Sequence, residues 1–210
     1  MSDPLARGPR RLLEGIRRDG FRTAEQLIQA ADLTDEERHT LRTEPRAKSV
    51  DLKVDGNHVR LRDQASLLAR KDLPAILGDE VTVAEWIEML NARVYLYADS
   101  AAMKKARDKY IALDGAQEVV TFSPRRFFDM CRPRIELSAQ NSGSIQRITG
   151  SQKRRDAFVS VGMFPDKRPS EVTVRDGIDD LSCVVFVERI HGAASLRGRR
   201  PNRRRERRVG

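Results

Sequence analysis

Thr82-Val83-Ala84-Glu85-Trp86-Ile87-Glu88-Met89-Leu90-Asn91 runs, across Ala92 alone, into Arg93-Val94-Tyr95-Leu96-Tyr97. Thr82 with Glu85 three residues later has the form of a capping box, in which each side chain satisfies the other's backbone donor. Val83, Trp86, Ile87 and Leu90 then fall on one face at helical spacing. The period changes at Arg93, where alternation with no turn residue predicts a strand. A helix that feeds directly into a strand, with helical patterns mostly before it and strand patterns mostly after it, predicts an α+β fold rather than a repeated βαβ unit.

On the N-terminal side, Leu12, Leu13 and Ile16 predict a helix over Pro9 to Asp19 ended by Gly20. A second helix starts near Thr23. A third covers Asp35 to Arg42, with Asp32 or Thr34 as its cap. Ser49 to Arg62 alternates around Asp55-Gly56-Asn57 and reads as a hairpin, and Leu67 to Leu77 reads as a helical stretch broken by Pro74. On the C-terminal side, the pattern predicts a helix over Ser100 to Ala112 and a strand over Glu118 to Phe122. A helical turn over Pro124 to Met130 and a strand over Arg134 to Ser138 follow. After a polar loop, Gln140 to Arg155, come strands at Ala157 to Met163, Glu171 to Val174 and Val184 to Val187.

At 210 residues the chain fits one domain with a core of its own. Residues 1–196 form that domain in this reading. The remaining residues, 197–210, read as a disordered tail, because Gly, Pro and Arg without apolar residues cannot pack. Arg197 to Arg208 holds eight arginines and one glutamate, so +7 of the formal +9 lies there and the body carries about +2. A basic tail on a nearly neutral body gives sequence-independent attraction to phosphate, or remains merely solvated. Cys131 and Cys183 are isolated in apolar stretches and read as free thiols of a reducing cytoplasm. No run approaches the ~20 apolar residues of a membrane span. Three scattered histidines give no zinc pattern, and neither GxGxxG nor a P-loop motif is present. The low aromatic content, 5%, argues against a surface of stacked single-stranded bases.

Several residues stand out as candidates for chemistry. Arg93, Tyr95 and Tyr97 lie on one face of their strand, which could clamp a pyrophosphate and stack a planar ring, or equally could cap the core beside a surface ion pair. Asn141, Ser142, Gly143 and Ser144 offer backbone donors where a ligand approaches closely, or simply a turn. Arg62, beside Asp63 and Gln64, reads as part of a structural network or as a ligand contact. Glu171 opens a strand, where it is either an exposed residue or a site carboxylate.

Five blocks in order resemble an uncharacterised bacterial family with an ADP-ribosyltransferase-like fold. They are Ile16 to Phe21, Leu61 to Gln64, Trp86 to Tyr97, Leu137 to Ser144 and Glu171 to Asp180. The last block is also similar to the glutamate-bearing strand of toxins that ADP-ribosylate thymidine in DNA. The resemblance implies split antiparallel sheets, NAD as co-substrate and Glu171 at the ribose. There a carboxylate can hydrogen-bond a sugar hydroxyl, stabilise developing positive charge and act as a base toward the acceptor. It further implies that Arg93, Tyr95, Tyr97, Arg62 and Asn141 to Ser144 frame the dinucleotide, and that a neutralising protein partner exists.

The same resemblance implies a histidine-bearing strand just ahead of Leu12 to Asp19. Residues 1–8 contain no histidine, and His39, His58 and His191 do not match the position. An upstream start, a reduced NAD site and a different ligand all stay open. Three functions follow from these readings: an NAD-dependent mono-ADP-ribosyltransferase acting on nucleic acid or protein, a non-catalytic binding module on the same fold, and a nucleic-acid-associated protein that works through its tail.

Overall fold

In a computed structural model of the chain, the structure describes residues 16, 18–68, 73–114, 116–139, 142, 154–165 and 167–191. Of the helix expected over Pro9 to Asp19, residues Ile16, Arg18 and Asp19 are described, and they are helical. It ends as expected at Gly20, which has φ 70° and donates its N–H to the Ile16 carbonyl at 2.8 Å. Glycine is required there twice over. A Cβ would sit 2.0 Å from the Ile178 carbonyl oxygen, because Phe21 exchanges backbone hydrogen bonds with Ile178 immediately afterwards.

Helix α1 (Ala24–Ala30) and helix α2 (Asp35–Thr43) both begin with capping boxes, at Thr23 and Thr34, so Thr34 rather than Asp32 caps the second. Strands β1 (Val50–Val54) and β2 (Asn57–Leu61) form the expected hairpin. Its two-residue turn needs positive φ at both positions, and Asp55 and Gly56 supply 49° and 78°. Two short helices follow, α3 (Ala65–Leu68) and α4 (Leu73–Leu77). Leu73 and Ala75 on either side of Pro74 are both helical, so Pro74 lies within α4.

Helix α5 (Val83–Asn91) carries the Thr82–Glu85 capping box and buries Trp86, Ile87, Leu90 and Asn91. It passes into β3 (Arg93–Leu96), so Tyr97 lies just beyond the strand. Then come α6 (Ser100–Asp114), β4 (Ala116–Phe122), α7 (Pro124–Cys131), β5 (Ile135–Ser138), β6 (Val159–Ser160), β7 (Glu171–Arg175) and β8 (Val184–His191). Arg134 closes a 3-10 turn ahead of β5 instead of opening the strand.

The strand expected over Ala157 to Met163 is corrected to two paired residues, β6, between 3-10 turns at Arg154–Ala157 and Val161–Met163. Phe158 explains the departure. Its ring leaves the sheet to stack on Trp86, with centroids 6.1 Å apart, and joins the α5 core.

The architecture is mixed α+β, with three small antiparallel sheets among the described residues: β1-β2, β3-β7-β5-β6 and β4-β8. One core lies around α5, from Leu67 to Phe158. Another lies under the four-stranded sheet, where Ile135, Leu137 and Val174 meet Phe127, Ile178 and the two cysteines. Both thiols are free and buried, as expected for residues used as small hydrophobes.

Candidate functional site

The four-stranded sheet has unlike faces. Val94, Leu96, Ile135, Leu137, Val172 and Val174 point to the core under it. By alternation, the opposite face carries Arg93 and Tyr95 from β3, Glu171, Thr173 and Arg175 from β7, and Glu136 and Ser138 from β5. Antiparallel pairing sets Tyr95 against Thr173, Thr173 against Glu136, and Glu171 against Ser138. Charged and hydroxyl groups from three strands are thus brought together with α5 and Phe158.

Glu171 stands at the end of this face. Ser142 grips one of its carboxylate oxygens twice: the Ser142 backbone N–H donates to Oε2 at 3.1 Å and the hydroxyl donates to the same atom at 2.7 Å. The other oxygen, Oε1, has no partner among the described residues. Burial pushes the Glu171 carboxyl above its ordinary range, opposed by the two Ser142 donors, which favour the ionised form.

Tyr95 exposes part of its ring, while its hydroxyl donates to the Leu90 carbonyl at 3.2 Å. Burial raises this phenol strongly. The Ser142 hydroxyl opposes the rise, and the Glu171 charge adds to it. Tyr97 is 55% exposed. Its phenol is raised by burial first, then by the charges of Tyr110 and Glu171. Tyr110 comes from α6 and is half-buried, with the Arg62 guanidinium 4.6 Å over its ring. Hydrogen bonds thus join Glu171 to Ser142, the shared sheet face adds Tyr95, and Arg62 with Tyr110 makes a ring contact of its own.

Arg93 shares the Tyr95 face as expected, but its guanidinium is directed inward. It is buried and pairs with Glu136 through Nε and Nη2, both at 2.8 Å. It also donates to the Met89 carbonyl and lies 4.1 Å over the Phe158 ring. With those partners it builds the floor of the site; the surface ion pair weighed from the sequence is instead a buried one. Of the four residues 141–144, Ser142 is described, and its role is to hold the carboxylate. Asn141, Gly143 and Ser144 lie outside the described residues, as does the arginine-rich segment 197–210.

Two residues of this neighbourhood were not singled out from the sequence. Glu136 is the anchor of Arg93, two strands away across β7, and Tyr110 is the partner of Arg62. The helix that carries Tyr110 was readable, but its contact with Arg62 is a tertiary fact.

The arrangement offers a carboxylate with one oxygen anchored and the other without a described partner, in a partly apolar setting beside exposed phenol rings. Such a group can accept a proton or bind a hydroxyl. Among the described residues no group of three or more His, Cys, Asp or Glu could hold a metal ion. No described helix is long and apolar enough to cross a membrane.

No curated protein and no solved structure matches the chain. One family model does match, over residues 9–185 and hence the greater part of the sequence, and it spans every group of the site just described. The chain therefore belongs to DUF7002, a family of unknown function.

Proposed function

We propose that this protein is an NAD-dependent mono-ADP-ribosyltransferase with an ADP-ribosyltransferase-like fold of split antiparallel sheets, and that Glu171 is its catalytic carboxylate. The single observation that carries the reading is the double grip of Ser142 on Glu171 Oε2. It fixes the carboxylate, while Oε1 has no partner among the described residues.

NAD would supply a ribose carbon that becomes electrophilic as the neutral nicotinamide departs with its bonding pair. The residues present fit such a co-substrate in three respects. Glu171 Oε1 can accept a hydrogen bond from a ribose hydroxyl, which draws negative charge toward the sugar as positive charge develops. Its raised proton affinity suits it to take the proton that the acceptor loses on attack. Tyr97 and Tyr95 present ring surface beside that carboxylate. Arg93 does not fit as the pyrophosphate clamp, since Glu136 and the Met89 carbonyl already engage it. The acceptor is a nucleic acid or a protein side chain, the compartment is the cytoplasm, and a protein partner would neutralise the activity.

Nicotinamide release from NAD by the purified protein, compared with Glu171→Gln, tests the reading. Release by the wild type that falls by at least a hundredfold in the variant supports it, and equal rates end it.

The engagement of Arg93 favours one second reading, a module of the same fold that binds its ligand without turning it over. Stabilisation by NAD with no nicotinamide release would select that alternative.

A further inference from the structure

Tyr97 and Glu171 lie side by side at one end of the four-stranded sheet, because β3 and β7 pair as far as Leu96 and Val172. The segments that adjoin them there are joined again by an ion pair. Two residues beyond Tyr97, Asp99 sets one carboxylate oxygen, Oδ1, on the first turn of α6, where the N–H groups of Ala101 and Ala102 donate to it at 2.7 and 3.4 Å. Its other oxygen, Oδ2, receives Arg168 Nη2 at 2.8 Å. Arg168 precedes Glu171 by three residues, which span at most ~10 Å of chain. Ser170, between them, is fastened to the Ser138 and Ala139 carbonyls of the β5 end. The ion pair therefore bridges the sheet end at which Glu171 stands.

We infer that the Asp99–Arg168 pair is a latch at the Glu171 site, opened when a phosphate group of the ligand takes the place of the Asp99 carboxylate on Arg168. The class of ligand rests on the proposed use of NAD. Arg168 is 71% exposed, and its Nε and Nη1 have no partner among the described residues. Asp99 can give it one oxygen, since the other is held at α6. A phosphate can give it two, matched to the guanidinium fork. Exposed ion pairs contribute little to stability and are screened by salt, so an anion can compete for this one. The displaced carboxylate keeps the Ala101 and Ala102 donors, and the exchange strands no charge without partners. Phosphate recognition, which the engaged Arg93 does not supply, thus falls to Arg168.

The experiment is calorimetric titration of the full chain with inorganic pyrophosphate, ADP-ribose and NAD, using wild type, Arg168→Gln, Asp99→Asn, Lys105→Gln and Asp108→Asn. Asparagine caps a helix as aspartate does, so Asp99→Asn removes the charge and keeps α6. Lys105 and Asp108 are exposed on α6 and repeat the two charge changes away from the latch. Binding of pyrophosphate and ADP-ribose should weaken at least tenfold in Arg168→Gln, tighten at least threefold in Asp99→Asn, and change by less than twofold in the other two variants. Equal tightening in Asp99→Asn and Asp108→Asn, or equal weakening in Arg168→Gln and Lys105→Gln, would reduce the effect to net charge and overturn the inference. Binding that ignores Arg168, or that is no tighter in Asp99→Asn than in wild type, would also overturn it. Nicotinamide release that persists in Arg168→Gln would then leave the transferase reading in place. Pyrophosphate binding with both expected dependences, and no binding of NAD, would sustain the latch and remove NAD as its ligand. Absence of binding by all three probes, in wild type and Asp99→Asn alike, would overturn the inference.

Discussion

Ser142 reaches Glu171 across 29 positions of sequence and donates both its backbone N–H and its hydroxyl to the same carboxylate oxygen. The hydroxyl favours the ionised form, so Ser142→Ala should move the Glu171 carboxyl further above its ordinary range. Carbon-detected NMR titration of the glutamate carboxyls, assigned by difference against Glu171→Gln, reads this directly. A downward shift would mean that Ser142 does not hold the charge.

The same carboxyl makes folding depend on pH in a defined direction. Its folded pKa lies above the unfolded value, so the folded state binds more protons between the two. Stability contributed by this group is therefore present below the unfolded value and lost as pH rises through the folded one. Glu171→Gln, which stays neutral, should be more stable than the wild type at pH 7, with the difference shrinking as pH falls toward 4. Urea unfolding at several pH values checks this, and a variant less stable at pH 7 would contradict it.

Arg93 and Glu136 are both largely buried, so removing one leaves the other charge unpaired. Glu136→Gln should cost about 3 kcal/mol, in the range seen for broken buried pairs. Urea unfolding is again the measurement. A loss under about 1 kcal/mol would show that Arg93 finds other compensation and is available for a ligand.

Gly20 and Gly78 have almost the same φ, 70° and 71°, but different surroundings. A Cβ at Gly78 meets nothing within 4 Å, whereas one at Gly20 would collide with the Ile178 carbonyl. Gly78→Ala should cost only the backbone strain, about 1 kcal/mol. Gly20→Ala should cost several times more, about 3–5 kcal/mol, because the Phe21–Ile178 bridge must open. Similar losses in the two variants would mean that this bridge is weak.

Deleting residues 197–210 removes most of the net positive charge of the chain. If the tail holds nucleic acid, affinity for a mixed-sequence duplex should fall steeply with salt in the full chain, and that slope should flatten in the truncated one. A filter-binding series from 50 to 200 mM salt, on the order of the range over which such contacts weaken, decides it. Equal slopes would exclude the tail.

Local chemistry was legible in the sequence wherever a few neighbouring residues decide the conformation. Thr82 with Glu85, and Asp55 with Gly56, each satisfy their geometry within four residues, so cap and hairpin were readable without the fold. Val159 and Val161 mimic strand alternation, yet β6 is two residues long, because Phe158 gains more by stacking on Trp86 than by extending an edge. The faces of β3 and β7 were equally readable from alternation. What they meet depends on the strand order β3-β7-β5, which no local pattern encodes. For that reason Glu171 and Arg93 could be proposed as functional, while Glu136 and Ser142 could not be identified as the groups that hold them. The contact of Arg62 with the Tyr110 ring is hidden in the same way, since it arises from the packing of α6.

Transfer of label from adenylate-labelled NAD to macromolecule is the most direct measure of the catalytic role assigned to Glu171. Wild type and Glu171→Gln would be incubated side by side with DNA, RNA and cell lysate. Label should appear in one acceptor class with the wild type and fall to background with the variant. Equal labelling by both proteins, or none by either while NAD remains intact, would contradict that role.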